Sequence, residues 1–389
     1  MTLTADLALP APSPEAAAHS RLVAEYIASD ILDAGGWIPF TRYMELALYA
    51  PGLGYYAAGA RKFGPEGDFV TAPEVSPMFA KCLTLQARQV LDATGGDILE
   101  LGAGSGVLAA DLFAELKALG APPRNYFLLE VSPDLRERQR ALLAERHPED
   151  LGRFTWLDSL PVRFRGLVLA NEVLDVVPFA LVYRQDGELL ERGVILTDAG
   201  FAWEDQALPE GDLKRRAGAV FPPGDYDYLS EVGLAAEGLA RTVAGMLEAG
   251  AAFFIDYGFP EREYYHPQRS MGTLRCHYRH RFHNDPFFLP GLQDITAHVD
   301  FTAMARAGEQ GGAEIDGFTT QAHFLISCGL AVLVAQEDPE ATLSRLKATS
   351  AVHRLIDPSE MGELFKVLAL GKGLAGPLLG FQSARPLAL

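Results

Sequence analysis

An acidic residue followed by alternating glycines is the segment of this chain whose residue types can best do chemistry. Glu100 ends a short apolar run, and glycine follows at positions 102, 104 and 106. The apolar run predicts a strand, and residues 107–119 predict a helix. A strand, a glycine-rich turn and a helix predict the opening of a nucleotide-binding α/β unit, where glycine lets the backbone approach a ligand closely.

The spacing of the glycines separates three kinds of nucleotide site. A dinucleotide site requires a third glycine where Val107 stands, and a phosphate-binding loop requires a lysine that is absent here. The remaining pattern, acid-x-Gly-x-Gly-x-Gly, resembles the first motif of class I S-adenosylmethionine methyltransferases. The resemblance implies S-adenosyl-L-methionine as cofactor, with its ammonium group held by the acid. A tight turn in another α/β protein stays open as the simpler interpretation.

Alternating strand and helix patterns surround this motif. Apolar runs predict strands at residues 98–101, 125–131, 154–157, 166–170 and 251–256. Strands that alternate with helices predict parallel βαβ units, so we expect an α/β fold. The resemblance implies a Rossmann-like class I methyltransferase sheet, mostly parallel, with an antiparallel last strand.

Two long segments interrupt the alternation, and a preface of helices and loops precedes it. Short apolar pieces separated by turns predict an inserted β-hairpin region at residues 180–228, and residues 229–247 predict a helix. Residues 258–300 are rich in His, Tyr, Arg and Pro, which indicates a long irregular insertion with a function. We therefore expect an extension over residues 1–95 that covers the active site, and a cofactor-binding core over residues 96–389.

The composition argues against several classes of protein. The chain has 389 residues and a formal net charge of −18, whereas nonspecific nucleic-acid binding normally needs a basic face. No membrane span is expected, since no apolar run of sufficient length is free of charge or glycine. The three cysteines are widely spaced, which favours reduced thiols, and no metal site is predicted.

The first 15 residues show no recognisable targeting signal. Residues 1–15 are rich in Ala and Pro and predict a disordered leader, and no basic residue precedes Arg21. The leader therefore lacks the positive region of a secretory signal and the arginine content of a mitochondrial transit peptide. We expect a cytoplasmic protein, and the sequence leaves its oligomeric state open, a homodimer included.

Later strand ends supply the polar residues that a class I methyltransferase needs. Glu130 ends the second strand, where a carboxylate can accept hydrogen bonds from both ribose hydroxyls, although a surface position at a strand end stays open. Leu157 and Asp158 end the third strand, where we expect the adenine. The residues predicted to bind the cofactor are Glu74, Glu100, Gly102, Ala103, Gly104, Gly106, Glu130, Val131, Ser132, Leu157, Asp158 and Asn171.

The fourth strand ends in a cluster of polar residues. Asn171 and Glu172 follow the apolar run directly, and Asp175 lies three positions later. Because ligands bind at the carboxyl ends of parallel strands, we expect these side chains beside the reacting methyl group. An Asn followed by an acid at this place resembles the fourth motif of amino-directed methyltransferases. Asn171 as a helix cap and Asp175 on a solvated face stay open.

Six short blocks occur in a characteristic order along the chain. They lie at residues 43–56, 67–76, 100–106, 171–178, 256–258 and 290–301. In this order they resemble the MidA-like family of class I methyltransferases, which is related to the mitochondrial complex I assembly arginine methyltransferase. The leader and residues 205–225 match none of the blocks.

The resemblance implies methyl transfer to an arginine of a partner protein. In the mitochondrial relative, the acceptor is an arginine near the start of the 49-kDa-type complex I subunit. A guanidinium acceptor needs carboxylates that orient it and take its proton. The candidate catalytic residues are Asn171, Glu172, Asp175, Asp256, His298 and Asp300.

Several alternatives stay open on the sequence alone. His298 can be a core or capping histidine, and Asp256 can be a helix cap or form a hydrogen bond to the long insertion. The protein can also be a cofactor-binding assembly factor with little catalysis, or a methyltransferase for another acceptor. A nicotinamide oxidoreductase is disfavoured by Val107 in the glycine loop.

Overall fold

The structure is a computed structural model that describes residues 9–58, 71–336 and 350–382. The longer helices are α1 (Pro14–Asp33), α2 (Phe40–Tyr49), α4 (Pro77–Thr94), α5 (Val107–Ala118), α6 (Pro133–Arg146), α7 (Asp212–Val220), α8 (Leu234–Met246) and α10 (Phe301–Gln310). The shorter helices are α3 (Ala72–Val75), α9 (Glu261–Tyr264), α11 (Gln321–Ser327) and α12 (Leu330–Ala335). Residues 350–356 are also helical.

Strands belong to one large sheet and two smaller sheets. The large sheet contains β2 (Asp97–Leu101), β3 (Tyr126–Leu129), β4 (Phe154–Leu157), β5 (Phe164–Asn171), β10 (Leu247–Phe259), β15 (Glu314–Thr320) and β16 (Phe365–Lys372), with β14 (Val299–Asp300) beside β10. The second sheet contains β1 (Trp37–Pro39), β6 (Ala180–Gln185), β7 (Glu188–Thr197), β8 (Gly200–Ala207) and β9 (Tyr228–Val232). The third contains β11 (Arg275–Tyr278), β12 (Arg281–His283) and β13 (Asp294–Thr296).

The large sheet has the order β15-β16-β10-β5-β2-β3-β4. The neighbours from β10 to β4 pair in parallel, whereas β16 is antiparallel to both β10 and β15. Helices α5 and α6 connect consecutive parallel strands, as βαβ units require. The predicted α/β fold, with a mostly parallel sheet and an antiparallel last strand, is confirmed.

Both faces of this sheet are covered, and successive residues of one strand serve opposite faces. Ile98 packs in the layer that contains α4 and α5. Leu99 and Leu101 pack in the layer that contains α8 and α10. A strand buried on both sides needs apolar residues at successive positions, which explains the continuous apolar runs in the sequence. Because β2 pairs in parallel with both β3 and β5, the carboxyl ends of these three strands lie on the same side of the sheet.

The inserted β region forms the second sheet, in the order β1-β7-β6-β9 with β8 beside β7. The helix predicted from residue 229 is wrong at its start. Residues Tyr228–Val232 form β9, which pairs with β6, and α8 begins only at Leu234. Strand pairing between distant segments outweighs the local helix preference here.

The N-terminal preface contacts both the second sheet and the large sheet. Trp37–Pro39 form β1, a strand that the sequence did not predict, and it pairs with β7. Helices α1 and α2 pack on that second sheet, whereas α4 packs beside α5 on the large sheet. Helix α1 begins at Pro14, inside the expected leader. Residues 1–8 of the leader, 67–70 of one sequence block and 341–349 of the segment 341–352, for which the sequence predicts a helix, lie outside the described residues.

The insertion at residues 258–300 is more regular than expected. It contains α9 and the third sheet, in which β11 pairs with both β12 and β13. Its end returns to the large sheet, because β14 pairs with β10 at Gly258 and Val299. In the part of the chain that the structure describes, no helix is long and apolar enough to cross a bilayer.

Strands β2 and β5 approach each other closely near their amino ends, at Gly166, and this close approach gives a stability prediction. At Gly166, where φ is +129°, an added Cβ would lie 2.0 Å from the carbonyl oxygen of Asp97. We expect Gly166→Ala to lower the free energy of unfolding by about 2–4 kcal/mol in urea titrations. Gly152→Ala is the control, because no heavy atom lies within 4 Å of its added Cβ. Equal stability of the two variants would contradict the close approach.

Candidate active site

The glycine loop lies at the carboxyl end of β2. Gly102, Gly104 and Gly106 have φ of 61°, 55° and 84°, in the left-handed region that glycine tolerates. An added Cβ at Gly102 would lie 2.9 Å from Cγ2 of Val173, so this loop packs on the segment after β5. Glycine at these positions leaves the backbone of the loop uncovered by side chains, so a ligand can approach it closely.

Glu100 lies at the base of this loop and is buried. The hydroxyl of Tyr126 donates a hydrogen bond to Glu100 Oε2 at 2.5 Å. Burial raises the pKa of Glu100 to about 7. A cation placed beside this carboxyl would favour its ionised form, because opposite charges lower the pKa of an acid.

Glu130 follows β3 and is held by donors on either side. The amide of Ser132 donates to Oε1 at 2.9 Å, and Nε2 of Gln139 donates to Oε2 at 3.2 Å. Gln139 also donates to the carbonyl of Gly104 at 2.9 Å, so the same side chain connects the acid to the glycine loop. Each carboxylate oxygen retains a lone pair for a further donor.

The segment after β5 carries Asn171, Glu172 and Asp175 in an unusual backbone conformation. Glu172 has a φ of 54°, which is uncommon for a residue with a side chain. Its amide donates to the carbonyl of Ile255 at 2.8 Å, which holds this conformation in place. Strain of this kind is concentrated at functional sites.

Asp256 holds the same segment from behind and is not part of the cavity wall. Its Oδ2 accepts from the amides of Val173 at 3.2 Å, Leu174 at 2.9 Å and Asp175 at 3.3 Å. These partners lie in the turn that follows β5, so Asp256 is not the helix cap that the sequence left open. The structure does not bring its carboxylate to the cavity, because its hydrogen bonds direct it to the backbone.

Three tyrosines surround two aspartates beyond this segment. Tyr257 donates to Asp175 Oδ2 at 2.5 Å, and Tyr56 donates to Asp294 Oδ2 at 2.9 Å. The rings of Tyr49 and Tyr56 are stacked, with centroids 5.5 Å apart. The hydroxyl of Tyr49 donates to the carbonyl of Val176 at 2.8 Å. Hydroxyl donors thus fix the aspartates within a mostly aromatic wall.

These features line one cavity of about 560 Å³. A ligand site in a protein typically has a volume of roughly 300–1,000 Å³. Ten of the predicted site residues line it: Glu100, Gly102, Ala103, Gly104, Glu130, Val131, Asn171, Glu172, Asp175 and His298. The strand order therefore brings most of the predicted residues together.

Five of the predicted cofactor residues do not line the cavity: Glu74, Gly106, Ser132, Leu157 and Asp158. Gly106 and Ser132 are the N-caps of α5 and α6, and this position directs them into the helix ends. Arg136 binds the carbonyl of Leu157 and the carboxylate of Asp158, each at 2.7 Å. The Asp158 side chain is 89% exposed, so this ion pair directs it to solvent rather than to a ligand.

Asp300 and Glu74 also lie outside the cavity wall. Asp300 is the N-cap of α10, where it accepts from the amide of Ala303 at 3.1 Å and pairs with Arg216 at 3.0 Å. Glu74 belongs to α3, and the residues that line the cavity there are Thr71 and Pro73. Neighbouring residues of both segments, Thr71, Pro73 and His298, line the cavity, whereas the directions of Glu74 and Asp300 depend on tertiary contacts that the sequence does not show.

The cavity wall also contains residues that were not predicted as site residues. Among the polar ones are Tyr49, Tyr56, Thr273, Arg275, His277, Asp294 and Thr296. Four of them lie within the sequence blocks 43–56 and 290–301, which were noted for the family resemblance. The blocks were therefore the available signal for these residues. Thr273, Arg275 and His277 lie in the insertion, where no block marked them.

Burial of several carboxyls around one cavity shifts their pKa values upwards. Burial and the charge of Asp175 raise the pKa of Glu172 to about 8. Burial raises the pKa of Asp175 to about 6. His298 is shifted the other way, because burial and nearby cations lower its pKa to about 4. A cation that enters the cavity would lower the pKa of Glu172 and so favour its carboxylate form.

Three residues of the cavity wall each carry a buried side-chain atom that has no hydrogen-bond partner among the described residues. They are Asp175 Oδ1, Asn171 Oδ1 and His298 Nδ1. The Nδ2 of Asn171 donates to Glu172 Oε1 at 3.2 Å, which fixes the orientation of the amide. A buried acceptor without a donor costs free energy. A ligand whose N–H donors reach these oxygen atoms would relieve that cost.

The residues fit S-adenosyl-L-methionine as cofactor. The open backbone of the glycine loop and Glu100 suit the amino-acid half, and Glu130 suits the ribose hydroxyls. Val131 lines the cavity with its side chain 68% exposed, which leaves an apolar surface for the adenine ring. When bound, this cofactor supplies an electrophilic methyl group on a positively charged sulfur.

The sheet order and this site together define a class I methyltransferase dependent on S-adenosylmethionine. The sequence pattern of the S-adenosyl-L-methionine-dependent methyltransferase family matches residues 79–319, and the chain belongs to that family. It is similar to a crystallised protein from Burkholderia thailandensis with bound S-adenosyl-homocysteine. The two share 48% identity over 97% of this chain and 98% of that chain, with a TM-score of 0.92.

Curated relatives carry more specific names. The chain is 29% identical to a protein of Drosophila melanogaster named protein arginine methyltransferase NDUFAF7 homolog, mitochondrial, over 96% of this chain and 92% of that protein. It is 29% identical to the human protein arginine methyltransferase NDUFAF7, mitochondrial, over 86% of this chain and 80% of that protein. The predicted family and cofactor are confirmed.

The raised pKa of Glu172 predicts how stability depends on pH. Between the ordinary pKa of glutamate and about 8, the folded chain binds a proton that the unfolded chain releases. This contribution to stability is present at low pH and is lost as the pH rises through 8. We expect the melting temperature of the ligand-free protein to fall by several degrees between about pH 6 and 8.5.

Glu172→Gln provides the comparison for this pH dependence. The amide cannot ionise, so its melting temperature should change less over the same interval than that of the natural chain. Differential scanning calorimetry at a series of pH values measures both. Parallel curves for the two proteins would contradict the raised pKa of Glu172.

Proposed function

We propose that this methyltransferase transfers the methyl group to an arginine side chain of a partner protein. The observation that carries the proposal is that Asn171, Glu172 and Asp175 line one cavity, and that Asp175 Oδ1 and Asn171 Oδ1 have no hydrogen-bond partner among the described residues. A guanidinium offers five N–H donors in a plane and keeps its charge in proteins. The names of the curated relatives support the same acceptor.

The carboxyls have two tasks with a guanidinium acceptor. Its positive charge lowers the pKa of Glu172, so this carboxyl, which is protonated at neutral pH, ionises as the acceptor enters, whereas Asp175 with its pKa of about 6 is already mostly ionised. Paired carboxylates then orient the guanidinium, so that one nitrogen is directed at the methyl group. The acceptor nitrogen must also lose a proton, and Glu172 or Asp175 is placed to take it.

Tyr257 and Asn171 support these carboxyls. The hydroxyl of Tyr257 fixes one oxygen of Asp175, which leaves the other oxygen to the acceptor. Asn171 donates to Glu172 and thereby favours its ionised form. His298 is held neutral near pH 7 by its lowered pKa, so it can accept a hydrogen bond through Nδ1.

The acceptor protein in this proposal is the 49-kDa-type subunit of respiratory complex I. This choice rests on the family resemblance. Incubation of the protein with radiolabelled S-adenosyl-L-methionine and the recombinant subunit tests it, with the modified residue located by mass spectrometry. We expect the label on arginine. Label on another residue type would overturn the arginine acceptor, and no label would overturn the partner.

The carboxyl beside the acceptor gives a prediction for catalysis. Glu172→Gln should lower kcat by about 10²–10⁴-fold, because the amide can neither take a proton nor balance the guanidinium charge. Titration calorimetry should still detect binding of S-adenosyl-homocysteine. Glu248→Gln is the matched control, since Glu248 is an exposed acid that pairs with Arg163 at the surface. Equal kcat for both variants would exclude Glu172 from catalysis.

The carboxyl assigned to the ribose gives a separate prediction for cofactor binding. Glu130→Gln loses the charge that strengthens hydrogen bonds to two hydroxyls, so we expect the Kd of S-adenosyl-homocysteine to rise about 10- to 100-fold. Glu137→Gln on α6 is the control, because that side chain is exposed. An unchanged Kd for Glu130→Gln would show that Glu130 does not hold the ribose.

A cofactor-binding assembly factor would behave differently in cells. Replacement of the natural chain by Glu172→Gln separates the two functions, since this variant is expected to bind cofactor without methyl transfer. We expect complex I assembly to fail. Full assembly would show that methylation is not the function of the protein in the cell.

We also propose that the protein works in a reducing compartment, the cytoplasm. Cys82, Cys276 and Cys328 are buried free thiols. Such thiols suit a reducing environment. The word mitochondrial in the names of the relatives describes those proteins. Fractionation of cells that produce the chain decides the compartment, and light scattering distinguishes a monomer from a homodimer.

A further inference from the structure

Glu231 on β9 is a buried carboxylate that binds the part of the insertion that lines the cavity, as Asp256 binds the segment after β5. Its side chain is buried and does not line the cavity. Oε1 accepts from the amides of Thr273 at 2.7 Å and Leu274 at 2.8 Å. Oε2 accepts from the hydroxyls of Tyr264 at 3.1 Å and Thr273 at 3.2 Å. Four donors from the insertion therefore converge on one carboxylate of the second sheet.

The backbone near Glu231 is shaped for this contact. Gly272 has a φ of +69°, and an added Cβ there would lie 2.5 Å from Glu231 Oε1. Only glycine lets the carboxylate reach the two following amides. The preceding residues are aligned with β9 as well, because the amide of Leu229 donates to the carbonyl of Ser270 at 2.9 Å.

The segment held by Glu231 leads directly into the cavity. Thr273, Arg275 and His277 line the cavity. The hydroxyl of Thr273 donates to Glu231 and accepts from the amide of His298 at 3.0 Å. One carboxylate therefore fixes two chain segments of the wall, around Thr273 and around His298. The ring of His298 in turn contacts the ring of Tyr257, with centroids 5.3 Å apart.

We propose that Glu231 is the positioning residue for the side of the cavity that receives the acceptor. It acts through Thr273, Arg275 and His298 and does not touch the acceptor itself. This role rests on the proposed function only in that the wall formed by the insertion receives the acceptor. The glycine loop and Glu130, which are assigned to the cofactor, have no contact with Glu231 among those the structure shows within the described residues.

Three substitutions separate the geometry of the carboxylate from its charge. Glu231→Asp keeps the charge but shortens the side chain by one methylene, so the carboxylate cannot reach all four donors. Glu231→Ala leaves two buried amides without an acceptor. Glu231→Gln keeps an oxygen for both amides. The control is Tyr265→Phe, which removes a hydrogen bond to the carbonyl of Glu231 and leaves its carboxylate unchanged.

The first test measures methyl transfer to the recombinant 49-kDa-type subunit as total label, whichever residue carries it. For Glu231→Asp and Glu231→Ala we expect the KM of the acceptor to rise about 10- to 100-fold, since small misplacements of a binding group have effects of this size. The Kd of S-adenosyl-homocysteine should stay within about twofold. Glu231→Gln and Tyr265→Phe should have a KM close to that of the natural chain.

The second test does not need an acceptor. Amide hydrogen exchange of the natural chain and Glu231→Asp is compared by mass spectrometry, with S-adenosyl-homocysteine bound to both. We expect faster exchange in peptides that cover residues 272–275 and 297–299, and unchanged exchange at residues 101–106. This result stands even if the subunit takes no label, which would overturn the proposed function alone.

Two outcomes would overturn the role of Glu231. One is an unchanged acceptor KM and unchanged exchange in Glu231→Asp. The other is a Kd of S-adenosyl-homocysteine that rises as much as the acceptor KM, which would indicate a general structural role. If Glu231→Ala does not fold, Glu231→Asp and Glu231→Gln still distinguish these outcomes.

Discussion

Asp256 ends the buried part of β10 and accepts the amides of three consecutive residues through one carboxylate oxygen. These amides would otherwise be buried without a partner, at a cost of about 1–3 kcal/mol each. The contact fixes the segment after β5, in which Glu172 adopts its left-handed conformation. Because Asp256 faces the backbone, Glu172 and Asp175 are left to face the cavity. The geometry of the site therefore depends on this buried carboxylate.

The same arrangement creates an electrostatic penalty that a ligand can relieve. Asp175 and Glu172 add to the effect of burial in raising the pKa of Asp256, and Glu172 and Asp175 have raised pKa values themselves. Without a cation nearby, this part of the site retains protons. Both the sulfonium of the cofactor and a guanidinium supply positive charge, so binding and ionisation are coupled. A site of this kind favours cationic ligands over neutral molecules of similar size.

The large sheet and the insertions contribute different parts of the cavity. The sheet edge supplies the glycine loop, Glu130 and Glu172. The rest of the wall comes from α2, from the loop that follows it and from the insertion, with Tyr49, Tyr56, Asp294, Arg275 and His277 among its polar residues. Since one fold can host many activities, the acceptor in the proposed function is selected by these segments outside the sheet. The second sheet supports them through Glu231.

The sequence by itself determined the α/β class of the fold and the segments that form the site, because these follow from local patterns, and the resemblance of those patterns to a known family implied the cofactor. Apolar runs, the glycine spacing and acids at strand ends need no knowledge of distant contacts. Only the tertiary structure decided which acids face the cavity: Asp175 does, whereas Asp158, Asp256 and Asp300 are held elsewhere by hydrogen bonds or ion pairs. It also decided that residues 228–232 form a strand. Those outcomes depend on partners far apart in the chain, which local patterns do not encode.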